Sequence, residues 1–307
     1  MDLKGIEDRL QGLKLKTRFA PTPNGHLHLG HIAHCIYLWG VAQSLNGHVL
    51  LRVEDHDRQR VKTSYIESIL RDLDWLGFTP DGGYQFGGGN TFLQSFAAEH
   101  YESAIKGLED KGLIYHCICS RKQIKERMEN DQTCRAYDGF CRSRKHHKGK
   151  EAGLRLKVVN KEKVSFWDLV LGCVYQDPAH DFGDLLLVDR RKNFSYHLCV
   201  VEDDLRHNIN VVIRGLDLLP ATGVQTYLRQ LLQANTSKLS YFHHPLLCHK
   251  DKPQVKLSKR NWDESIASLR ERGYSAAQLI GQVACDLGLQ RSNNKLLAGD
   301  VKGLWGG

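Results

Sequence analysis

Apolar residues first recur with a clear period after His28, where Ile32, Cys35, Ile36, Trp39, Ala42 and Leu45 follow the three-and-four spacing of a helix. The spacing predicts a helix over 29–46. Before it, Lys16 to Ala20 reads as a short strand, and after it His48 to Glu54 alternates as a strand does. Ile66, Ile69, Leu70, Leu73 and Leu76 then line one face of a second helix, which Gly77 ends. This βαβα succession is half of a parallel sheet. Gly82, Gly83 and Gly87 to Gly89 predict a loop, and a helix is expected from Phe92 to Lys111. The stretch 153–187 reads as short strands, clearest at Leu154–Val158 and Leu185–Val188. A sheet is expected to resume near Tyr196 and reach Val211, Val212 and Ile213, followed by a helix from Gly223 to Gln233. No repeat or low-complexity segment interrupts the pattern.

The first strand and helix meet at Pro21-Thr22-Pro23-Asn24-Gly25-His26-Leu27-His28-Leu29-Gly30-His31. A helix N-terminus offers unpaired N–H groups and the positive end of a dipole, so an anion is stabilised there. Gly25 and Gly30 remove side chains where a nucleotide must come close. His28 and His31, three apart, share one face of the first turn. Far downstream, Lys256-Leu257-Ser258-Lys259-Arg260 follows Lys250, Asp251, Lys252 and Pro253, which mark a loop. A lysine there can neutralise charge as a phosphoryl group is transferred. Each stretch alone would pass as a solvated turn or basic loop. Together they are the equipment for attack on the α-phosphate of ATP.

With 307 residues, 41% hydrophobic and 25% charged, the chain is long enough for two packed units of an ordinary globular protein. A formal charge of +8, with Arg142, Arg144, Lys145, Lys148 and Lys150 crowded together, suits a polyanionic partner. The N-terminus has no apolar h-region, and no apolar run approaches the roughly 18 residues of a membrane helix, so a cytoplasmic, non-membrane protein is expected. Nine cysteines without an export signal speak against a disulfide framework. Cys35, Cys173, Cys199, Cys248 and Cys285 lie in apolar contexts where a buried thiol is the expectation. Cys117, Cys119, Cys134, Tyr137 and Cys141 instead cluster in a polar, basic segment, the pattern of a tetrahedral zinc site that lends folding energy to irregular chain.

At this point the chain resembles the glutamyl branch of the class I aminoacyl-tRNA synthetases. His28-Leu29-Gly30-His31 matches that class's first signature and Lys256-Leu257-Ser258-Lys259-Arg260 its second. Arg18-Phe19-Ala20-Pro21-Thr22, Leu51-Arg52-Val53-Glu54-Asp55, Tyr196 to Asp204 and Val212 to Leu219 narrow the branch, all in the family's order within residues 15–290. Only residues 261–307 follow the second signature, too few for the helical anticodon-binding region of full glutamyl-tRNA synthetases. That shortness, with the cysteine pattern, resembles the glutamyl-Q tRNA(Asp) synthetases.

The resemblance implies an α/β fold: a Rossmann-like parallel-sheet catalytic domain, split into 1–104 and 191–250 by a zinc-bearing, tRNA-contacting insertion at 105–190. Residues 251–307 would carry the lysine signature and a short helical region, with no anticodon-binding domain. It implies ATP-dependent, tRNA-independent activation of L-glutamate and transfer to the queuosine cyclopentenediol in the anticodon of tRNA(Asp), by a monomer. The rival readings are a synthetase charging a tRNA 3′ end and a non-catalytic tRNA-binding paralogue. ATP, with its Mg²⁺, would meet Pro21, Gly25, His28, Gly30, His31, Lys256, Ser258 and Lys259, of which His28, His31 and Lys259 are catalytic. Glutamate would lie against Arg18, Phe19, Ala20, Pro21, Thr22, Glu54, Tyr196 and Arg214. The two arginines suit its carboxylates, Glu54 its ammonium, and Tyr196 supplies a hydroxyl. One structural Zn²⁺ would take Cys117, Cys119, Tyr137 and Cys141, the family's Cys-x-Cys and Tyr-x-x-x-Cys. Cys134 remains the all-cysteine alternative to Tyr137.

Overall fold

The computed structural model describes residues 3–56, 61–85, 90–130, 136–144, 151–159, 163–233, 239–249, 252–256 and 264–305. Its centre is a parallel arrangement. Lys16–Phe19 pairs with His48–Leu51, which pairs with the two-residue strand Gly82–Gly83. A four-stranded sheet places Ser240–His244 parallel to both Val211–Gly215 and Val164–Asp168, with Gly172–Gln176 antiparallel at its edge. Asn210 ties the two sheets together. Its N–H donates to Lys16 O at 3.1 Å and its Oδ1 accepts the Lys16 N–H at 2.7 Å, which sets Val211–Gly215 beside Lys16–Phe19. The strands then run in doubly wound order and reverse direction of growth between those two. Ligands of such sheets bind outside the carboxyl ends of the strands at that switch point.

The helix Leu29–Ser44 is apolar on nearly every side because it is covered on nearly every side. Ile32, Ile36 and Val41 lie in one core with Val49, Val211 and Phe242 of the strands and with Ile280 and Val283 of the helix Ala276–Asp286. Gly40 is required there: a Cβ would lie 1.8 Å from Nε1 of Trp305. Thr63–Leu76 is amphipathic and ends as expected on Gly77, whose φ of 82° is the left-handed cap that glycine favours. A second core packs Tyr101 against Leu156, Leu187, Leu198 and Val224.

Within the stretch expected as an insertion, Ile114–Cys117, Gly153–Leu156 and Leu185–Val188 form a separate antiparallel sheet. The hairpin Val164–Gln176 leaves that stretch to join the main sheet. Three local expectations are corrected. Tyr196 begins a helix, Tyr196–Arg206, capped by Ser195, and does not lie on a strand. Its apolar run Leu198 to Val201 is buried in the helix. The expected helix 92–111 starts only at Ala98, after two 3₁₀ turns. The expected loop around Lys252 is half a hairpin, Lys252–Lys256 against Cys248–His249. Cys35 and Cys199 are buried as expected, but Cys173 is exposed, on the edge strand.

Candidate active site and metal cluster

The segment after Lys16–Phe19 turns at Pro21 to Asn24 and enters the helix Leu29–Ser44 through His28. His28 Nδ1 accepts the N–H of Gly30 at 3.1 Å, and His31 Nδ1 accepts the N–H of His28 at 3.1 Å. Each ring has therefore given its Nδ1 lone pair to a backbone donor, which makes Nε2 the protonated nitrogen. Burial first, and then His28, lowers the pKa of His31 to about 3. The rings lie 4.1 Å apart as two neutral N–H donors at the end of the helix that favours anions. A Cβ on Gly30 would come within 2.8 Å of His28 Cε1, so this fold of the ring over the turn needs glycine.

Beside them lies a buried charge cluster. Arg18 Nε donates to Asp204 Oδ1 at 2.9 Å, and Arg52 donates to the same oxygen at 2.6 Å and to Glu54 Oε1 at 3.1 Å. Asp203 accepts from Arg206, Gln94 and Tyr101 at 2.8, 2.8 and 3.0 Å. Burial works against the Asp204 carboxylate, but Arg18 and Arg52 outweigh it and hold its pKa at about 2. Burial raises the pKa of Glu54 in spite of Arg52 and Arg18, so Glu54 gains most from a further cation. The Glu54 N–H donates to Pro21 O at 3.0 Å and so pins that carboxylate to the turn. Tyr196 feels burial first, then Glu54, Arg214, Arg18 and Asp204, which brings four of the sequence-predicted glutamate residues to one place. Phe19 is turned into the core against His34 and Trp39, and Thr22 is exposed.

Arg214 sits near the carboxyl end of Val211–Gly215 and is 4% exposed. Its Nε donates to His243 Nε2 at 3.1 Å, Nη1 to Gln225 Oε1 at 2.7 Å and Nη2 to Thr222 Oγ1 at 2.8 Å. Asp168 in turn accepts from the His243 ring at 2.7 Å. The sequence-predicted residues Arg18, Glu54, Tyr196 and Arg214 come together here with Arg52, Asp168, Thr222, Gln225 and His243, which the sequence analysis does not single out. Arg52 follows directly on the apolar residues Val49, Leu50 and Leu51 of a strand, which is a signal the sequence carries. The others carry no local signal, since three neighbouring strands and one helix bring them together.

The cysteine cluster forms a second centre. The Sγ atoms of Cys117, Cys119 and Cys141 lie within 4.8 Å of one another, with Cys119 and Cys141 3.5 Å apart. Tyr137 Oη is 3.3 Å from Cys117 Sγ and 3.7 Å from Cys119 Sγ, and accepts the N–H of Cys141 at 3.1 Å. A tetrahedral zinc with ordinary bond lengths has S···S edges of about 3.8 Å and S···O edges of about 3.5 Å. Three sulfurs and one oxygen thus fit the ion. Arg155 Nε points to Cys117 Sγ and Arg127 Nη2 to Cys119 Sγ, each at 3.3 Å, the cationic support that a thiolate-rich site needs. Next to the cluster opens a cavity of about 500 Å³ lined by Ser120, Arg121, Arg155, Arg190, Arg191 and Asn193 among others. Leu257 to Arg260, with the sequence-predicted Ser258 and Lys259, and Cys134 lie outside the described residues, as does the side chain of Lys256. Gly25 has open space where a Cβ would stand.

Residues 14–299 match the family model "tRNA synthetases class I (E and Q), catalytic domain". The chain is 33% identical over 297 residues to the glutamyl-Q tRNA(Asp) synthetase of Prochlorococcus marinus strain MIT 9303, covering 95% of this chain and 88% of that one. It is 31% identical over 282 residues to the glutamate–tRNA ligase of Finegoldia magna, covering 85% of this chain and 57% of the relative. The chain spans about half the length of such ligases. Among solved structures, the glutamate–tRNA ligase of Elizabethkingia meningosepticum in complex with its amino acid superposes with a TM-score of 0.77 at 24% identity, over 94% of this chain and 64% of that one. That likeness is one of fold. Among the described residues no helix is long and apolar enough to cross a membrane.

Proposed function

The chain belongs to the class I tRNA synthetase (E and Q) catalytic-domain family, and on that premise we propose that it activates L-glutamate with ATP, without needing tRNA. In the second step it transfers the glutamyl group to the queuosine cyclopentenediol of tRNA(Asp). The observation that carries the amino-acid choice is the convergence of Arg18, Glu54, Tyr196 and Arg214 beside the histidine-capped helix at the sheet's switch point. The arginines take the two carboxylates of glutamate and Glu54 its ammonium.

One oxygen of the α-carboxylate attacks the α-phosphorus of ATP, the bond to the bridging oxygen breaks, and pyrophosphate leaves with its Mg²⁺. His28 and His31 donate their Nε2 protons as hydrogen bonds to the phosphates, and Lys259 neutralises charge growing on the departing pyrophosphate. Positioning and electrostatics suffice, since no covalent enzyme intermediate is formed. A hydroxyl of the diol then displaces AMP from the activated acyl group and gives an ester.

One zinc held by Cys117, Cys119, Tyr137 and Cys141 would brace the chain around the insertion's sheet. The arginine-lined cavity beside it and the net charge of +8 support a polyanionic partner. The queuosine reading is supported by similarity that runs through 88–89% of the length of relatives named for that reaction. The second reading, transfer to a tRNA 3′ end, is favoured by the glutamate–tRNA ligases, 31–34% identical over 54–57% of their length. Radiolabelled glutamate offered with ATP and tRNA(Asp), with and without queuosine, separates them. Alkali-labile label confined to queuosine-bearing tRNA and mapped to the anticodon is the expected result; label at the 3′ adenosine overturns the proposal.

A further inference from the structure

Asp168, His243 and Arg214 stand in a row on three adjacent parallel strands. His243 is the register partner of Arg214, and Tyr241 that of Asp168. Asp168 is fully buried and His243 is 3% exposed. Both oxygens of Asp168 are committed: Oδ2 accepts from the His243 backbone N–H at 3.0 Å and lies 2.7 Å from its Nδ1, while Oδ1 accepts the N–H groups of Val170 and Leu171 at 2.9 and 3.0 Å. A carboxylate with that environment requires a proton on Nδ1 of His243. Burial, the largest influence, and Arg214 both act to keep the ring neutral, so Nε2 carries a lone pair. Arg214 Nε donates to that lone pair at 3.1 Å, and Thr222 Oγ1 also lies 3.0 Å from the same nitrogen.

A guanidinium has five N–H donors and no acceptor. In Arg214, Nε is spent on His243, one N–H of Nη1 on Gln225 Oε1 and one N–H of Nη2 on Thr222 Oγ1. Gln225 cannot flip without turning its NH₂ toward a group that only donates, and its own Nε2 is engaged 3.2 Å from His197 Nδ1. Among the described residues this leaves two N–H groups of Arg214 unspent, one on each terminal nitrogen. Two donors on neighbouring terminal nitrogens of one guanidinium can be met by two acceptor oxygens. A carboxylate offers both. A carboxamide offers one oxygen and one NH₂, and the second contact becomes donor against donor.

Resting on the reading that the chain activates glutamate, we propose that Asp168 and His243 are positioning residues that lock Arg214 as a carboxylate-only fork and so set the choice of glutamate over glutamine. Loss of the lock frees the guanidinium to turn and to meet an amide oxygen through a single N–H.

The test is ATP–pyrophosphate exchange by the full chain with glutamate and with glutamine, for wild type, Asp168→Asn, His243→Ala and His243→Gln. In Asp168→Asn an amide NH₂ must face donors on one side or the other, and the imidazole loses its reason to hold the proton on Nδ1. For Asp168→Asn and His243→Ala the KM for glutamate should rise about tenfold or more, with kcat and the KM for ATP changed by less than about threefold, and the preference for glutamate should fall. His243→Gln, which keeps an acceptor near Arg214, should recover most of the preference. A purely structural role would lower all parameters together and would not move the glutamate-to-glutamine ratio. Nitrogen NMR of the wild-type imidazoles needs no variant to fold: His243 should be the neutral Nδ1–H form at pH 7. An Nε2–H form, or folded variants that keep the glutamate KM and the preference, overturn the inference. Wild type that exchanges with no glutamate dependence overturns the functional reading beneath it.

Discussion

At the scale of single residues, the site works by fixing which nitrogen carries a proton. His28 and His31 spend Nδ1 on backbone N–H groups of the helix start, which leaves the Nε2 proton of each ring to meet an anion, and burial holds His31 neutral. Gly30 allows this. Gly30→Ala would push a Cβ to within 2.8 Å of the His28 ring, and the expected outcome is an activation rate lower by on the order of 10² with the glutamate KM little changed. An unchanged exchange rate in the folded variant removes His28 from the chemistry. Arg214→Ala leaves a substrate carboxylate half paired and should weaken glutamate by about 2–4 kcal/mol in an exchange titration. Equal loss of ATP affinity would place Arg214 elsewhere. Both histidines, Arg18, Glu54 and Arg214 are legible in the sequence because short motifs hold them. Asp168 and His243 are not, because their meaning is cross-strand register, which no local spacing encodes.

At the scale of elements, hydrophobic periodicity locates the strand Lys16–Phe19, the helix Leu29–Ser44 and the cap at Gly77 to within a residue or two of the prediction. It fails at Tyr196–Arg206, where Leu198, Cys199, Val200 and Val201 read as a strand but form the buried side of a helix that Ser195 caps. It fails again at Lys252–Lys256, a polar strand with no alternation to read. The cysteine segment is the reverse case. Cys117 ends the strand Ile114–Cys117 and Cys141 follows a turn, so only their chemistry, not their periodicity, announces that they meet. Elemental analysis should find one zinc per chain. Chelation should raise hydrogen exchange over 105–150 before it affects the strand Lys16–Phe19, because the ligands close an irregular segment and not the main core. Cys117→Ser and Cys141→Ser should release the metal, and so should Tyr137→Phe. Zinc retained by Tyr137→Phe but lost by Cys134→Ser would make the site all-cysteine.

At the scale of the whole molecule, the fold buries histidines where strands and helices meet, and this sets its response to acid. Burial lowers the pKa of His31 to about 3 and those of His197, His207 and His244 to about 4, and holds His34 well below the usual range. In the unfolded chain each returns to about 6.5. Between those values the unfolded state binds more protons than the folded one, so stability is full above about pH 6.5 and declines as pH falls toward 4. Asp204, held at about 2, stays ionised throughout that window, while Glu54, Asp72 and Glu202, whose pKa values burial raises, oppose the trend as three groups against the five imidazoles. The expected outcome is a melting temperature that drops by several degrees from pH 7 to pH 5. His207 isolates the cause, since neither of its ring nitrogens has a hydrogen-bond partner among the described residues and its ring lies 4.7 Å from that of Phe92. His207→Leu removes one titrating group and no hydrogen bond, so its melting temperature should fall less steeply with acid than that of wild type. Parallel curves for the two proteins, or a wild-type curve flat between pH 7 and pH 5, would show that the buried imidazoles do not govern acid stability.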